Sequence, residues 1–224
     1  MADLRLTPST RVLGAGSATS PVPVKGLKDG TLFTADWLAR QALEGRVVII
    51  NAGTGTAPIT SAGAYVNTTP DVDIRVPAGV LAIPFNIQIG IEAYGTTALF
   101  ESVAAIGSGG TYTPTSLDTF TAQNARTDIA DQTFGITAGG TGTGAVYMDD
   151  AVEFMRHQHN KMVTIGTADD DSSIGPSQYN WSATQTGIWP IMYNTSTFTR
   201  LNVFMSCQAT TGFVIIAMVF PELT

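Results

Sequence analysis

Both histidines of the chain stand in one segment, Glu153-Phe154-Met155-Arg156-His157-Gln158-His159. Spaced by one residue, His157 and His159 leave a strand on the same side, where they could share a metal with Glu153 or Asp150. Zinc needs a third and a fourth ligand from elsewhere, and Arg156 and Lys161 beside the pair oppose a cation. An exposed or interfacial histidine pair without metal is the expectation. Asp169-Asp170-Asp171-Ser172-Ser173 offers oxygens to calcium. An EF-hand loop, however, wants Gly at its sixth position and Glu at its twelfth, where this chain has Ile174 and Asn180. A solvated acidic turn is expected there.

The remaining chemistry is thin. Gly107-Ser108-Gly109-Gly110 and Gly139 to Gly144 lack the Lys-Ser/Thr ending of a phosphate-cradling loop, and Gly14-Ala15-Gly16 opens no helix. No G-x-S-x-G elbow occurs, and two adjacent histidines leave a Ser-His-Asp triad little to draw on. Carboxylates such as Asp149-Asp150 could serve a glycosidase only with a distant partner. The chain is therefore expected not to be an enzyme, with no catalytic residue, no cofactor and no metal. Tyr179, Trp181, Trp189 and Tyr193 gather in a Ser/Thr/Gln-rich stretch. Rings with polar tips suit a core or loop anchor, a subunit interface or a sugar platform.

The elements that must position these residues read as β. The chain has 224 residues, 44% of them apolar and 13% charged, with 23 glycines, 11 prolines and much threonine. That mixture suits many short strands joined by turns. Between Asp71 and Tyr94, Val72, Ile74 and Val76 alternate with Asp71, Asp73 and Arg75. Leu81, Ile83, Phe85, Ile87, Ile89 and Ile91 then alternate with small or polar residues. This period of two predicts strands, with the odd-numbered side chains of the second buried. Pro84 predicts an edge position or a bulge. Ala98 to Ile106 reads as a partner strand. Other expected strands are Arg46 to Ile50, Ala145 to Met148, Val152 to Arg156, Met162 to Ile165 and Ile188 to Tyr193. Leu201 to Cys207 and Phe213 to Phe220 are spaced as an antiparallel hairpin. One helix is expected from Ala35 to Glu44, capped by Thr34, helped by Asp36 and stopped by Gly45.

Residues 1–30 are rich in Pro and Gly without periodicity, which predicts an extended arm before a single β-sandwich domain of residues 31–224. Such an arm cannot repay its ordering entropy alone, so it is expected to cross a neighbouring copy. Its four basic residues, Arg5, Arg11, Lys25 and Lys28, face Asp3 and Asp29. The whole chain carries a net charge of -7. Direct nucleic-acid binding is not expected from that balance. Cys207 is the single cysteine, expected as a small buried hydrophobe. Met1-Ala2-Asp3-Leu4-Arg5 lacks the apolar core of a signal peptide, so the Asn67, Asn180 and Asn194 triplets read as composition. Phe213 to Phe220 is too short to span a bilayer, and no membrane insertion is expected.

An extended Pro/Gly arm, a short helix, Thr- and Gly-rich strands and an ending in Val219-Phe220-Pro221-Glu222-Leu223 together resemble viral structural proteins. The family is that of single jelly-roll capsid and virion proteins, above all of bacteriophages. The resemblance implies an all-β, jelly-roll-like antiparallel sandwich that acts by self-assembly, as shell subunit or as decoration or vertex protein. It implies copies of itself and other virion proteins as partners, and a place in the virion after assembly in the host cytoplasm. It transfers no site residue. Two other readings start from the same residues: a carbohydrate-binding β-sandwich using Trp181 and Trp189, and a hydrolase on a β-scaffold.

Overall fold

A computed structural model of the chain describes residues 5–6, 22–23, 37–61, 70–95, 99–111, 113–114, 120–140, 142–143, 148–160, 176–206 and 210–222. Most of the expected arm, the helix cap at Thr34 and Asp36, Asn67, Asp169 to Asp171 and Cys207 lie outside these residues. So do the expected strand Met162 to Ile165 and nearly all of Ala145 to Met148. The chain divides into two compact units, Met1–Arg40 and Gln41–Thr224.

In the first unit β1 (Arg5–Leu6) pairs antiparallel with β2 (Val22–Pro23). Helix α1 (Trp37–Leu43) begins in this unit, runs on into the second and stops where glycine allows it: Gly45 has φ +72°. The Gly45 N–H donates to Ala42 O at 3.0 Å and the Arg46 N–H to Gln41 O at 2.8 Å, the paired bonds of a Schellman end. The second unit holds β3 (Val47–Ala52), β4 (Ile59–Thr60), β5 (Val72–Val76), β6 (Ile83–Ala93) and β7 (Leu99–Ser108). Then come β8 (Thr113–Pro114), β9 (Phe120–Asn124), β10 (Thr137–Gly139), β11 (Gly142–Thr143) and β12 (Asp149–Asn160). The chain closes with β13 (Gln178–Ser182), the one-turn helix α2 (Ala183–Thr186), β14 (Thr199–Met205) and β15 (Thr211–Val219).

Two antiparallel sheets form a sandwich, in the orders β9-β3-β15-β6-β13 and β10-β5-β14-β7-β12. With β9 and β10 set aside, eight strands remain: β3, β5, β6, β7, β12, β13, β14 and β15. They alternate between the sheets at every step but β7 to β12, the one step that stays within a sheet. Taken in chain order as B to I, they line up as B-I-D-G facing C-H-E-F. That order is the double Greek key of a jelly roll. The long excursion from β7 to β12 supplies the two extra strands, β9 beside β3 and β10 beside β5.

Between the sheets the core is aliphatic. Ile50, Ile87, Ile89 and Ile216 come from one sheet and Ile74, Leu201, Val203 and Met205 from the other, all buried. In β6 the alternation holds from Ile87 to Ile91 and then reverses. Ala217 pairs with Asn86 but Met218 pairs with Pro84, so Phe85 is the extra residue of a bulge. Beyond it Pro84 and Ala82 are buried, while Leu81, Ile83 and Phe85 are only half-buried. The bulge that Pro84 predicted is present, and it corrects the expected burial of the first three odd positions. At the other end Gly90 has no side chain because the ring of Phe213 lies across it.

Three expectations are overturned. The last two strands form no hairpin: β14 runs between β5 and β7, and β15 between β3 and β6 in the opposite sheet. β15, apolar along both faces, takes the middle of its sheet, and β14 takes the middle of the other with Arg200 and Asn202 on one of its faces. Likewise β7 is not a partner of β6 but pairs with β12 and β14. Residues 188–193 form no strand, and only Met192 bridges, to Ala82. Strands β9, β10 and β13 and helix α2 had no forecast.

Candidate interaction surface

The two long edges of the sandwich differ. On one side β9 and β10 end the two sheets and lie against each other. On the other the sheets end in β12 and β13, and among the described residues no strand pairs with the outer edge of β12. Beside that edge an open groove of about 550 Å³ runs between β12 and the segment that follows α2. Met155 and Pro190 are its buried lining and Ile106 and Phe154 its half-buried one, while Val152, Ile188, Trp189 and Ile191 stand exposed. A smaller hollow of about 220 Å³ continues it past Ile191 to Tyr193.

Local geometry builds both walls. Gly187, at φ +72°, ends α2 with its N–H on Ala183 O and turns the chain outward. Buried Met192 then pins the segment through two backbone hydrogen bonds with Ala82, of 2.9 and 3.0 Å. Ile188, Trp189 and Ile191 are thus held at the surface on a short, anchored span. On the facing wall β12 slips register twice, between Asp149 and Val152 and between Glu153 and Met155, and Asp150 has φ +49°. The slips leave Val152 60% exposed. They also turn Glu153 and Arg156 to the same side. The Arg156 guanidinium donates to both Glu153 oxygens, at 2.7 and 2.5 Å, and also pairs with Glu101.

The four aromatics of the sequence cluster divide. Tyr179 and Trp181 point into the core, Trp181 edge-on to Phe154 at 4.9 Å, whereas Trp189 and Tyr193 are exposed along the groove. The histidines do share one side of β12, as their spacing required, but it is the inner side. His157 lies 5.5 Å from the ring of Tyr179 and His159 6.2 Å from that of Tyr94, beside Phe100. Tyr94 and Tyr179 join their hydroxyls at 2.8 Å. Glu153 faces the other way, with Arg156. Among the described residues no three His, Cys, Asp or Glu side chains come together as metal ligands.

Burial lowers the pKa of His157, and its Nε2 is buried without a hydrogen-bond partner. The folded state therefore favours the neutral ring. Above the ordinary value of 6.5 this costs nothing. As pH falls through 6.5 the unfolded chain takes the proton first, and stability is lost. The melting temperature is expected to fall between pH 7.5 and 5.5, and to fall less in His157→Gln. Equal losses in the two proteins would show that His157 is not the responsible group.

A charged cluster that sequence reasoning missed lies on the outer side of the second sheet. Asp73 Oδ1 accepts from Asn202 Nδ2 at 2.8 Å and from Arg200 at 3.5 Å, and Asp73 Oδ2 accepts from Arg75 Nε at 3.1 Å. The Arg200 and Arg75 guanidinium groups lie 4.9 and 5.4 Å from the ring centre of Phe198. Asp73, Arg200 and Asn202 are fully buried. Burial pushes the Asp73 carboxyl above its usual range, more than the two arginines and Asn202 pull it down. The only trace in the sequence is the alternation Asp71-Val72-Asp73-Ile74-Arg75, which looks like any half-exposed strand.

No protein-family model, no curated protein and no solved structure matches the chain.

Proposed function

We propose that the chain is a structural subunit of a virus particle, a capsid shell, vertex or decoration protein, which acts by assembling with copies of itself. The observation that carries this reading is the strand order, B-I-D-G against C-H-E-F. Jelly rolls of this order serve chiefly as virus shells, sugar-binding domains and small-molecule barrels. Support for the first comes from the exposed apolar groove at one edge, since subunits that live as monomers rarely leave such a surface open. The acidic balance fits a shell whose nucleic acid is held by other proteins.

The test is the assembly state of the purified chain. Sedimentation and negative-stain micrographs over a wide concentration range are expected to show regular oligomers or closed particles. A monodisperse monomer at every concentration would overturn the proposal. Binding to a glycan array that is lost in Trp189→Ala would put the sugar-binding reading in its place.

A further inference from the structure

We infer that the β12 edge of the sandwich is a pH-sensitive latch, held shut by a row of aromatic rings and released when His157 takes up a proton. β12 and β13 end the two sheets on this side, and the row joins them across the core. Phe154 of β12 stands edge-on to Trp181 of β13 at 4.9 Å, and His157 lies 5.5 Å from Tyr179. His159 lies 6.2 Å from Tyr94, whose hydroxyl joins that of Tyr179 at 2.8 Å and donates to Pro176 O at 2.5 Å. Phe100 of β7 stacks on Tyr179 at 5.1 Å and completes the row.

Nothing described around His157 compensates a charge on it. β13 offers Tyr179 and, beyond it, the end of β6 offers Tyr94. β7 offers Ser102, directly opposite His157, and Phe100, while its own strand adds Met155 and His159. No carboxylate is among them, because Glu101 and Glu153 pair with Arg156 on the other side of these strands. A neutral ring can leave the buried, unpartnered Nε2 bare, but an imidazolium must carry a proton there with no acceptor in reach. The tilted face of Tyr179 attracts a cation, yet burial outweighs it and holds the His157 pKa below its ordinary value. Parting this edge alone hydrates the cation at the least cost. Among the described residues β12 pairs with β7 only, through a ladder broken by two register slips, and β13 pairs with β6 only. Edges of this kind open more easily than strands paired on both sides, such as β3, β15, β5 and β14. β12 is also one wall of the groove, so its release takes the groove apart.

The test is hydrogen exchange of the full-length chain read by mass spectrometry, as protection factors at pH 7.5 and 5.5. Residues 149–160 and 178–182 are expected to be less protected than residues 47–52 and 211–219 at both values, as an edge that opens by itself must be. Each opening lets His157 take up one proton. At pH 5.5, one unit below its ordinary 6.5, the edge is therefore expected to lose up to roughly tenfold in protection. In His157→Phe, which keeps a ring in the row but cannot titrate, most of that loss is expected to vanish. His157→Gln gives the same comparison if the phenyl ring crowds the row. Equal protection of edge and core strands at both pH values would mean that the edge opens only with the whole sandwich, and the latch would fall. An acid response left intact in both His157 variants would overturn His157 as its trigger.

Discussion

Replacing Arg200 with alanine is expected to cost the sandwich roughly 3–5 kcal/mol, the usual penalty for stripping one partner from a buried ion pair. Whole domains of this kind are held by only about 5–15 kcal/mol, so the variant should be close to unfolding at 37 °C. The reason lies in what remains behind. Asp73 has no exposed surface, and its carboxylate then keeps Asn202 and Arg75 as neighbours but loses the cation on β14. Already raised by burial, its pKa must rise further, and folding must either bury a less compensated charge or take up a proton. Asp73→Ala is expected to be similarly damaging, since it takes from Arg200 and Asn202 the carboxylate they share. The double replacement should cost less than the sum of the two, by roughly 0.5–3 kcal/mol, if the residues act as a pair. Urea unfolding of the four proteins gives this coupling directly. Costs that simply add would mean that Asp73 and Arg200 stabilise the fold independently.

Strand existence was legible where aliphatic residues alternate with small or polar ones over several positions. Val72-Asp73-Ile74-Arg75-Val76 and Ile87-Gln88-Ile89 announce themselves by period two, and both are strands in the structure. Pairing was not legible. The hairpin expected from Leu201 to Phe220 fits the spacing, but spacing cannot tell a tight turn within one sheet from a short crossing between two. Jelly-roll topology resolves nearly every such choice in favour of crossing. Strands β9 and β13 escaped notice because Phe120-Thr121-Ala122-Gln123-Asn124 and Gln178-Tyr179-Asn180-Trp181-Ser182 are too polar to show a greasy face by composition alone. Their alternation is nevertheless present, and in β13 it is complete: Tyr179 and Trp181 are buried between exposed neighbours.

The surface was legible in its parts and not in its geometry. Tyr179, Trp181, Trp189 and Tyr193 are conspicuous in the sequence, but only the fold separates the pair that fills the core from the pair that lines the groove. The opposite wall, Val152 with Glu153 and Arg156, lies 32 residues or more before Ile188 and Trp189 in the chain. Nothing local announces the register slips that turn Glu153 and Arg156 to one side. For the histidines, spacing gave the shared side correctly, but which side of an edge strand faces the core depends on the slip that precedes it.

The bulge in β6 makes the largest expected contrast between neighbouring substitutions. Ile87 is fully buried, paired across the sheet with Trp181 on one side and Ile216 on the other. Ile87→Asp loses about 1.5–3 kcal/mol of burial and leaves a carboxylate without a partner in an aliphatic core, at a further cost of several kcal/mol. No folded protein is expected. Gln88, half-buried on the other face between Asn180 and Ile215, should tolerate Asp with a loss of about 1 kcal/mol or less. The same logic crosses the bulge with its parity reversed. Ala82, fully buried and bridged to Met192, faces the core where an unbroken alternation would have placed Leu81. Ala82→Asp should therefore be as damaging as Ile87→Asp. By truncation, Ile87→Ala should cost about 2–5 kcal/mol and Leu81→Ala clearly less. Denaturant midpoints of these variants read the register at both ends of the strand. Equal losses for Leu81→Ala and Ile87→Ala, with Ala82→Asp tolerated, would mean that the strand runs straight through Phe85 with no extra residue.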